Sequence, residues 1–198
     1  GKDEAAAILR ERGWEIIDVD AVGHEALAKL SGEVAAEFGE HILSGDGTVD
    51  RKRLGSIVFS DRERLARLEE ILHPEMMRMV AGRVERIRQT RGTAATERTC
   101  INAALLFPMG LHRLCDAVLR VKAPLPMRFI RAKRRDRAPL RFLLQRFRGQ
   151  RSLFPKHLIE DVDMYTVENC GSRKRLERSV AEILERIEDE VFGSDSAQ

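Results

Sequence analysis

Four short apolar runs, separated by long helical patterns, constrain this chain more than any other feature. They are residues 14–17 (Trp14-Glu15-Ile16-Ile17), 99–106, 116–121 (DAVLRV) and 164–167. The stretches between them read as helices. Residues 3–12 open with Asp3 and Glu4 at the positive end and run on through Ala5, Ala6, Ala7, Ile8 and Leu9 until Gly13 stops them. A second helix is expected from Ala21 to about Leu30 and a third before Phe38-Gly39. Ser44-Gly45-Asp46-Gly47 is a turn, and residues 51–59 and 61–91 are helical, with Pro74 restarting or kinking the latter. Residues 125–136 and 140–149 form two arginine-rich helices. Residues 172–192 form an amphipathic one, with Ile183, Ile187 and Val191 at i, i+4, i+8 and Leu184 alongside. Strands separated by helices predict an α/β fold with a parallel sheet covered on both faces. Such sheets bind ligands at the carboxyl ends of their strands, here just after Ile17, Ala104, Val121 and Val167.

Composition narrows the function. At 198 residues, 43% hydrophobic and 34% charged, the chain can bury a core and is not a disordered one. No apolar run approaches the ~20 residues of a membrane helix, and no secretory pattern opens the chain. Cys100, Cys115 and Cys170 form no CxxC pair, which argues against a disulfide framework or a zinc site and for a reducing cytoplasm. The net charge of +3 hides an asymmetry: residues 120–151 hold ten Arg, two Lys and one acid, +11 in 32 residues, against −8 elsewhere. Arginine forks suit phosphate oxygens, so the block points to a nucleotide or nucleic-acid partner unless it is a plain solvated face. Aromatic residues are only 5%, too few for stacking platforms, and no nucleic-acid module is recognisable.

Gly1-Lys2-Asp3 opens a helix as the end of a phosphate-binding loop, GxxxxGK[ST], would. In that motif the Lys reaches the β/γ phosphates and the hydroxyl holds Mg²⁺. Alone, Gly-Lys could equally be a frayed terminus. The next strand follows at residues 14–17, as a phosphate-binding unit requires, and ends in Asp18-Val19-Asp20. Alternation puts Asp18 and Asp20 on one side of the strand. Asp20 is either the cap of the following helix or a carboxylate that orients and deprotonates a hydroxyl. His24 lies one helical turn on, on the same face as Asp20. Arg128, Arg131 and Arg135 share a face at i, i+3, i+7, whereas Arg134, Arg141 and Arg148 fall outside it or on the next helix.

These segments together resemble the dephospho-CoA kinase family. Ile17-Asp18-Val19-Asp20 with His24 is similar to its IDAD signature followed by a His or Arg. Phe38-Gly39, Gly47, Asp50-Arg51, Leu54 and Val58-Phe59 resemble its substrate-side helices. Leu68-Glu69 and Leu72-His73-Pro74 resemble LexxLHP, the most specific match; Leu105-Leu106-Phe107 resembles PLLFE. Residues 131–136 (RAKRRD) resemble the lid sequence RxxxRD, and Gln150, Lys156 and Val167-Glu168-Asn169 the closing QxxxxxK and IxN elements. The resemblance implies a three-layer P-loop NTPase fold of the nucleoside-monophosphate-kinase type. It also implies ATP-dependent phosphorylation of the ribose 3′-hydroxyl of dephospho-CoA, the last step of coenzyme A synthesis, with Mg²⁺. Lys2 would contact the β/γ phosphates beside Gly1 and Asp3, Arg131 and Arg135 would close over ATP, and Asn169 would lie beside the adenine. Asp20 would be the base, and His24, Arg51 and His73 would belong to the acceptor side, unless His73-Pro74 only locks a helix junction.

The family pattern divides the chain into a nucleotide-binding core (1–30, 95–125, 160–198), a helical acceptor region (31–94) and an arginine-rich lid (126–159). Four positions depart from it. Asp3 replaces the Ser or Thr of the metal position, although a carboxylate oxygen is also a hard ligand. Asn102 and Ala104 stand where the family has Asp and Pro, and Pro108 replaces a Glu. The glycine-rich segment that should precede Gly1 is expected upstream: an apolar strand of ~5 residues, then a loop with another glycine about five residues before Gly1. A kinase with another small-molecule or nucleotide acceptor, and a nonenzymatic RNA-binding protein using the arginine block, are the competing readings.

Overall fold

A computed structural model of the chain describes residues 1–91, 98–124 and 162–192. The two expected arginine-rich helices fall outside the described residues, and with them Arg128, Arg131, Arg134, Arg135, Arg141, Arg148, Gln150 and Lys156. The chain divides into two units, Gly1–Ile16 with Ala104–Gln198, and Ile17–Ala103.

In the first unit, helix α1 (Lys2–Glu11) starts directly after Gly1 and buries Ala5, Ala6, Ile8 and Leu9. Gly13 ends it at φ 87°, in the left-handed region that only glycine enters without strain, and the Trp14 amide donates back to Leu9 O at 3.1 Å. Strands β3 (Ala117–Lys122) and β4 (Asp163–Glu168) pair in parallel, from Ala117 opposite Asp163 to Lys122 opposite Glu168. Val118, Tyr165 and Val167 are buried at alternate positions. Helix α6 (Arg173–Ile187), capped by Ser172, packs on both α1 and β4. It buries Leu176, Val180, Leu184 and Ile187. The expected stripe through Ile183 is therefore displaced: Ile183 is half-buried, about 100° around the helix from Leu184. Val191 falls in a terminal π-helical turn, Glu188–Phe192.

The strand expected over 99–106 is shorter. Strand β2 (Thr99–Asn102) ends at Asn102, and the chain then turns. The carbonyls of Leu105, Leu106 and Phe107 accept from the amides of Met109, Leu111 and Gly110, local bonds that replace a ladder. Gly110, at φ 72°, leads into a 3-10 turn, Leu111–Leu114. This segment buries Phe107, Met109, Leu111 and His112, and the His112 ring stacks on Phe107 at 5.0 Å.

The second unit is mainly helical. Strand β1 (Glu15–Asp18), which straddles the boundary, pairs with β2, so the described strands form two two-stranded sheets. Helix α2 (Val19–Lys29) follows without a break. Its cap is Asp18, whose carboxylate accepts from the Asp20 amide at 3.0 Å. The expected helix start at Ala21 is thus two residues late, and strand alternation does not apply to Asp20. Helices α3 (Ser31–Phe38), α4 (Arg51–Val58) and α5 (Arg62–Arg91) complete the unit. Leu27, Val34, Phe38, Ile42, Leu54 and Val58 form its buried cluster, flanked by Leu65, Leu68, Ile71 and Leu72 of α5. The predicted turn lies between Leu43 and Val49, which make an antiparallel bridge, with Gly47 at φ 79°. Pro74 does not divide α5 in two. It sits inside one 30-residue helix, where it cannot donate to the carbonyl four residues back.

Candidate active site

The residues expected on the nucleotide side lie in the first unit, where Gly1 and Asn169 meet at the carboxyl ends of β3 and β4. Asn169 follows β4, is buried, and its amide donates to Lys122 O at 2.6 Å, which extends the parallel ladder by one residue. Gly1 lies against both strand ends. A β-carbon there would stand 3.2 Å from Val121 Cγ1, close enough that this side chain must give slightly, and at an ordinary 3.6 Å from Asn169 Nδ2. Gly1, Asp3, Glu4 and Asn169 line a cleft of about 400 Å³, closed on the other side by Gly171, Arg173 and Leu176. The Lys2 ammonium is 2.8 Å from an Asp3 carboxylate oxygen. Arg173 pairs with Glu11 and, at 3.5 Å, with Glu4. The cleft thus brings together the start of a helix, Asn169 after β4, two carboxylates and one guanidinium.

Asp3 offers a hard oxygen donor where the phosphate-loop motif has a hydroxyl, and hard divalent cations take carboxylate oxygens. An ammonium already occupies one of its oxygens at ion-pair distance, so the donor set fits a cation there. Among the described residues no three His, Cys, Asp or Glu side chains cluster as a self-contained metal site. Any ion held by Asp3 must complete its shell from other groups, as Mg²⁺ does from waters and phosphates.

The second unit brings together the acceptor-side candidates. Asp20 is exposed in the first turn of α2, and His24 follows at i+4. The Arg51 Nη1 is 3.0 Å from His24 Nε2. A guanidinium can only donate, so Nε2 accepts and the ring proton sits on Nδ1. Arg51 is the first residue of α4 because Asp50 caps that helix, accepting from the amides of Lys52 at 2.9 Å and Arg53 at 3.2 Å. These bonds hold the Asp50 carboxyl below its ordinary range. The Arg53 guanidinium ties the same junction to the carbonyls of His41 and Leu43.

His73 is half-buried in α5, where burial lowers its pKa from 6.5 and the Glu69 carboxylate partly opposes the shift. It therefore presents a neutral ring at neutral pH. One turn on, Met76 meets Gly23: a β-carbon at Gly23 would be 3.2 Å from Met76 Cε, so α2 and α5 approach closely beside His24. Lys29 to Glu75 at 2.9 Å and an Arg83–Glu25 pair clamp the same two helices. Asp20, His24, Arg51 and His73 accordingly belong to one helical framework, while Gly1, Lys2, Asp3 and Asn169 belong to the other unit.

Arg131 and Arg135 lie outside the described residues. Sequence reasoning missed Glu4, Gly171 and Arg173 as cleft-lining residues. Their only signal was a helix start directly after the strand end at Asn169. Of the four departures, Asn102 is buried at the end of β2, and Ala104 and Pro108 are exposed in the turn that follows.

Comparison with known proteins gives these sites a common context. A family model described as CoaE, dephospho-CoA kinase, matches residues 1–162. The dephospho-CoA kinase of Treponema pallidum is 32% identical over 193 residues, covering 94% of this chain and 90% of that protein. The dephospho-CoA kinase of Moorella thermoacetica is 37% identical over 153 residues, covering 76% and 71%. A crystal structure of a Thermus thermophilus protein superposes with a TM-score of 0.74 at 30% identity, covering 94% of this chain and 92% of the other. The dephospho-CoA kinase from Campylobacter jejuni shares the fold, with a TM-score of 0.66 at 20% identity and coverage of 98% and 92%.

Proposed function

The chain belongs to the dephospho-CoA kinase family, and from that premise we propose that it transfers the γ-phosphoryl group of ATP to the ribose 3′-hydroxyl of dephospho-CoA. Its α/β P-loop kinase fold supports the assignment. The observation that carries the assignment of roles is the grouping of the family's motif residues into two sets, each assembled within one unit.

In this reading Asn169 lies beside the adenine of ATP, and Lys2, next to Gly1, meets the β/γ phosphates. Asp20 accepts the proton of the 3′-hydroxyl as the oxygen attacks phosphorus. Phosphoryl transfer asks little covalent chemistry of a protein, so positioning and charge carry most of the rate. His24, Arg51 and His73 hold the acceptor. Arg51 can bind a phosphate as a fork, whereas neutral His73 can offer only a hydrogen bond. Arg131 and Arg135 close over the nucleotide from the lid. Asp3 would hold Mg²⁺ in part, and the ion would supply neutralisation of phosphate charge. The reducing conditions of the cytoplasm are the proposed setting, in keeping with the sparse, unclustered cysteines of the sequence.

A coupled ADP-release assay with dephospho-CoA and a panel of nucleoside monophosphates tests the acceptor. Turnover confined to dephospho-CoA is expected; equal turnover of a nucleoside monophosphate would assign the chain a different acceptor. RNA binding that falls steeply with salt, without ATP turnover, would support a nonenzymatic role.

A further inference from the structure

Helix α4 carries a pair of residues that its packing does not account for. Gly55 sits in the middle of this eight-residue helix, where a glycine weakens it. Its backbone does not take the positive φ found at Gly13, Gly39, Gly47 and Gly110. Phe59, which follows the last turn, is 72% exposed, the most of any large apolar side chain among the described residues. The two belong together. A β-carbon at Gly55 would stand 3.2 Å from Phe59 Cε2 and 3.4 Å from Phe59 Cδ2. One edge of the ring therefore lies over bare backbone, and most of the ring is left to solvent.

A single exposed apolar side chain needs no explanation by itself. The alignment of this one does. Arg51, Gly55 and Phe59 follow at i, i+4 and i+8 down one flank of α4, beside the buried Leu54 and Val58. About 12 Å of helix separates the first from the last. Arg51 in turn lies 3.0 Å from His24, on the helix that carries Asp20. All of these residues belong to the second unit. Outward from Asp20, the row offers a carboxylate, an imidazole with a guanidinium, a stretch without side chain and an apolar ring. The same order runs along a nucleoside hydroxyl, a 5′-diphosphate and a thin arm of amide and apolar segments. Phosphates complement Arg51. A thin chain approaches a helix backbone closely only where a side chain is missing. The ring adds apolar area to cover methyl groups at small entropic cost.

We propose that Phe59, beside the gap left by Gly55, binds the pantetheine arm of the acceptor, and so favours dephospho-CoA over nucleotides that carry the diphosphate without the arm. The proposal rests on the kinase reading and extends its acceptor site by this pair.

The test is steady-state kinetics of the full-length protein beside Phe59→Ser, Phe59→Tyr and Gly55→Gln, with a thermal melt of each. Phe59→Ser should raise KM for dephospho-CoA about tenfold. Its kcat, its KM for ATP and its melting temperature should stay near those of the parent, as when binding is lost equally from ground and transition states. Phe59→Tyr keeps the ring and should keep the low KM. Gly55→Gln fills the gap and should also raise KM for dephospho-CoA, yet melt no lower than the parent, because it replaces a glycine within a helix. In proton NMR of bound dephospho-CoA, the two methyl signals of the arm should move upfield under the ring, and Phe59→Ser should abolish that shift. An unchanged KM for dephospho-CoA in Phe59→Ser overturns the proposal and leaves the kinase reading standing. So does a rise matched by the KM for ATP or accompanied by a lower melting temperature, which would make Phe59 a structural residue of α4. A parent that neither binds nor phosphorylates dephospho-CoA overturns the kinase reading, and the proposal with it.

Discussion

At the scale of single residues, two side chains give opposite lessons about what a sequence discloses. Asp20 and His24 could be placed on one face from their spacing alone, and the structure puts both on α2. Which carboxylate capped that helix could not be read, because Asp18 and Asp20 are equally good caps; the 3.0 Å bond from the Asp20 amide assigns the cap to Asp18. The cap is therefore not Asp20, whose proposed role is that of the base. Asp20→Asn should keep ATP affinity within a few-fold and lower turnover by about 100-fold or more, the loss expected for a positioned base. Near-normal turnover in a steady-state assay would remove Asp20 from that role. His112 gave no such warning. It is 3% exposed, and neither ring nitrogen has a hydrogen-bond partner. An unsatisfied buried polar group costs about 1–3 kcal/mol, whereas an apolar side chain of similar shape costs nothing of that kind. His112→Leu should therefore raise the melting temperature in a thermal unfolding scan. A lower one would mean that a bound water or another group satisfies the ring.

At the scale of elements, the parts set by local pattern were legible and the parts set by tertiary contacts were not. The alternation in β3 and β4, the Gly13 stop and the turn at Gly47 all appear where the sequence puts them. The strand over 99–106 was overextended because an apolar run does not reveal whether its carbonyls meet a neighbouring strand or their own following amides. Pro74 was read as a restart or a kink, and α5, packed against α2, α3 and α4, continues through it as one helix. The Arg51–His24 contact and the lining of the cleft by Arg173 likewise depend on helices meeting, which spacing along the chain cannot show. The α2–α5 contact has a measurable pH signature. Glu75 is held down to about 2 from its ordinary 4.5, first by its hydrogen bonds to Arg78 and Lys29. Its contribution to stability is complete above about pH 4.5 and is lost as pH falls through about 2. Urea unfolding across that window should show stability falling less steeply in Glu75→Gln than in the parent. Parallel curves would mean that the pair is equally strong in the unfolded chain.

At the scale of the whole molecule, the dominant property is the uneven charge: +11 over residues 120–151 against −8 elsewhere. Both proposed substrates are polyanions, so the basic block should speed their capture at low ionic strength. Raising salt through the range where the Debye length shrinks from about 10 Å to 3 Å should lower kcat/KM more than kcat. Arg131→Ala should reduce ATP affinity and turnover together, while Arg141→Ala should change only the salt dependence. Equal effects of the two substitutions would mean that the block acts as a diffuse field and not through one arginine. The parallel pairing of β3 with β4 has a different consequence, for the order in which the chain assembles. Ala117 meets Asp163, 46 residues on, so the ladder closes a long loop before its first bond can form, and the closure entropy is about 3 kcal/mol beyond a constant. Contacts that require so long a search usually form after the rate-limiting step. Val167, 1% exposed near the carboxyl end of that ladder, is the place to look. Val167→Ala should remove roughly 1–2 kcal/mol of burial, appearing as faster unfolding with an almost unchanged refolding rate. The strand ends proposed to receive the nucleotide would then be among the last parts of the chain to acquire their native partners.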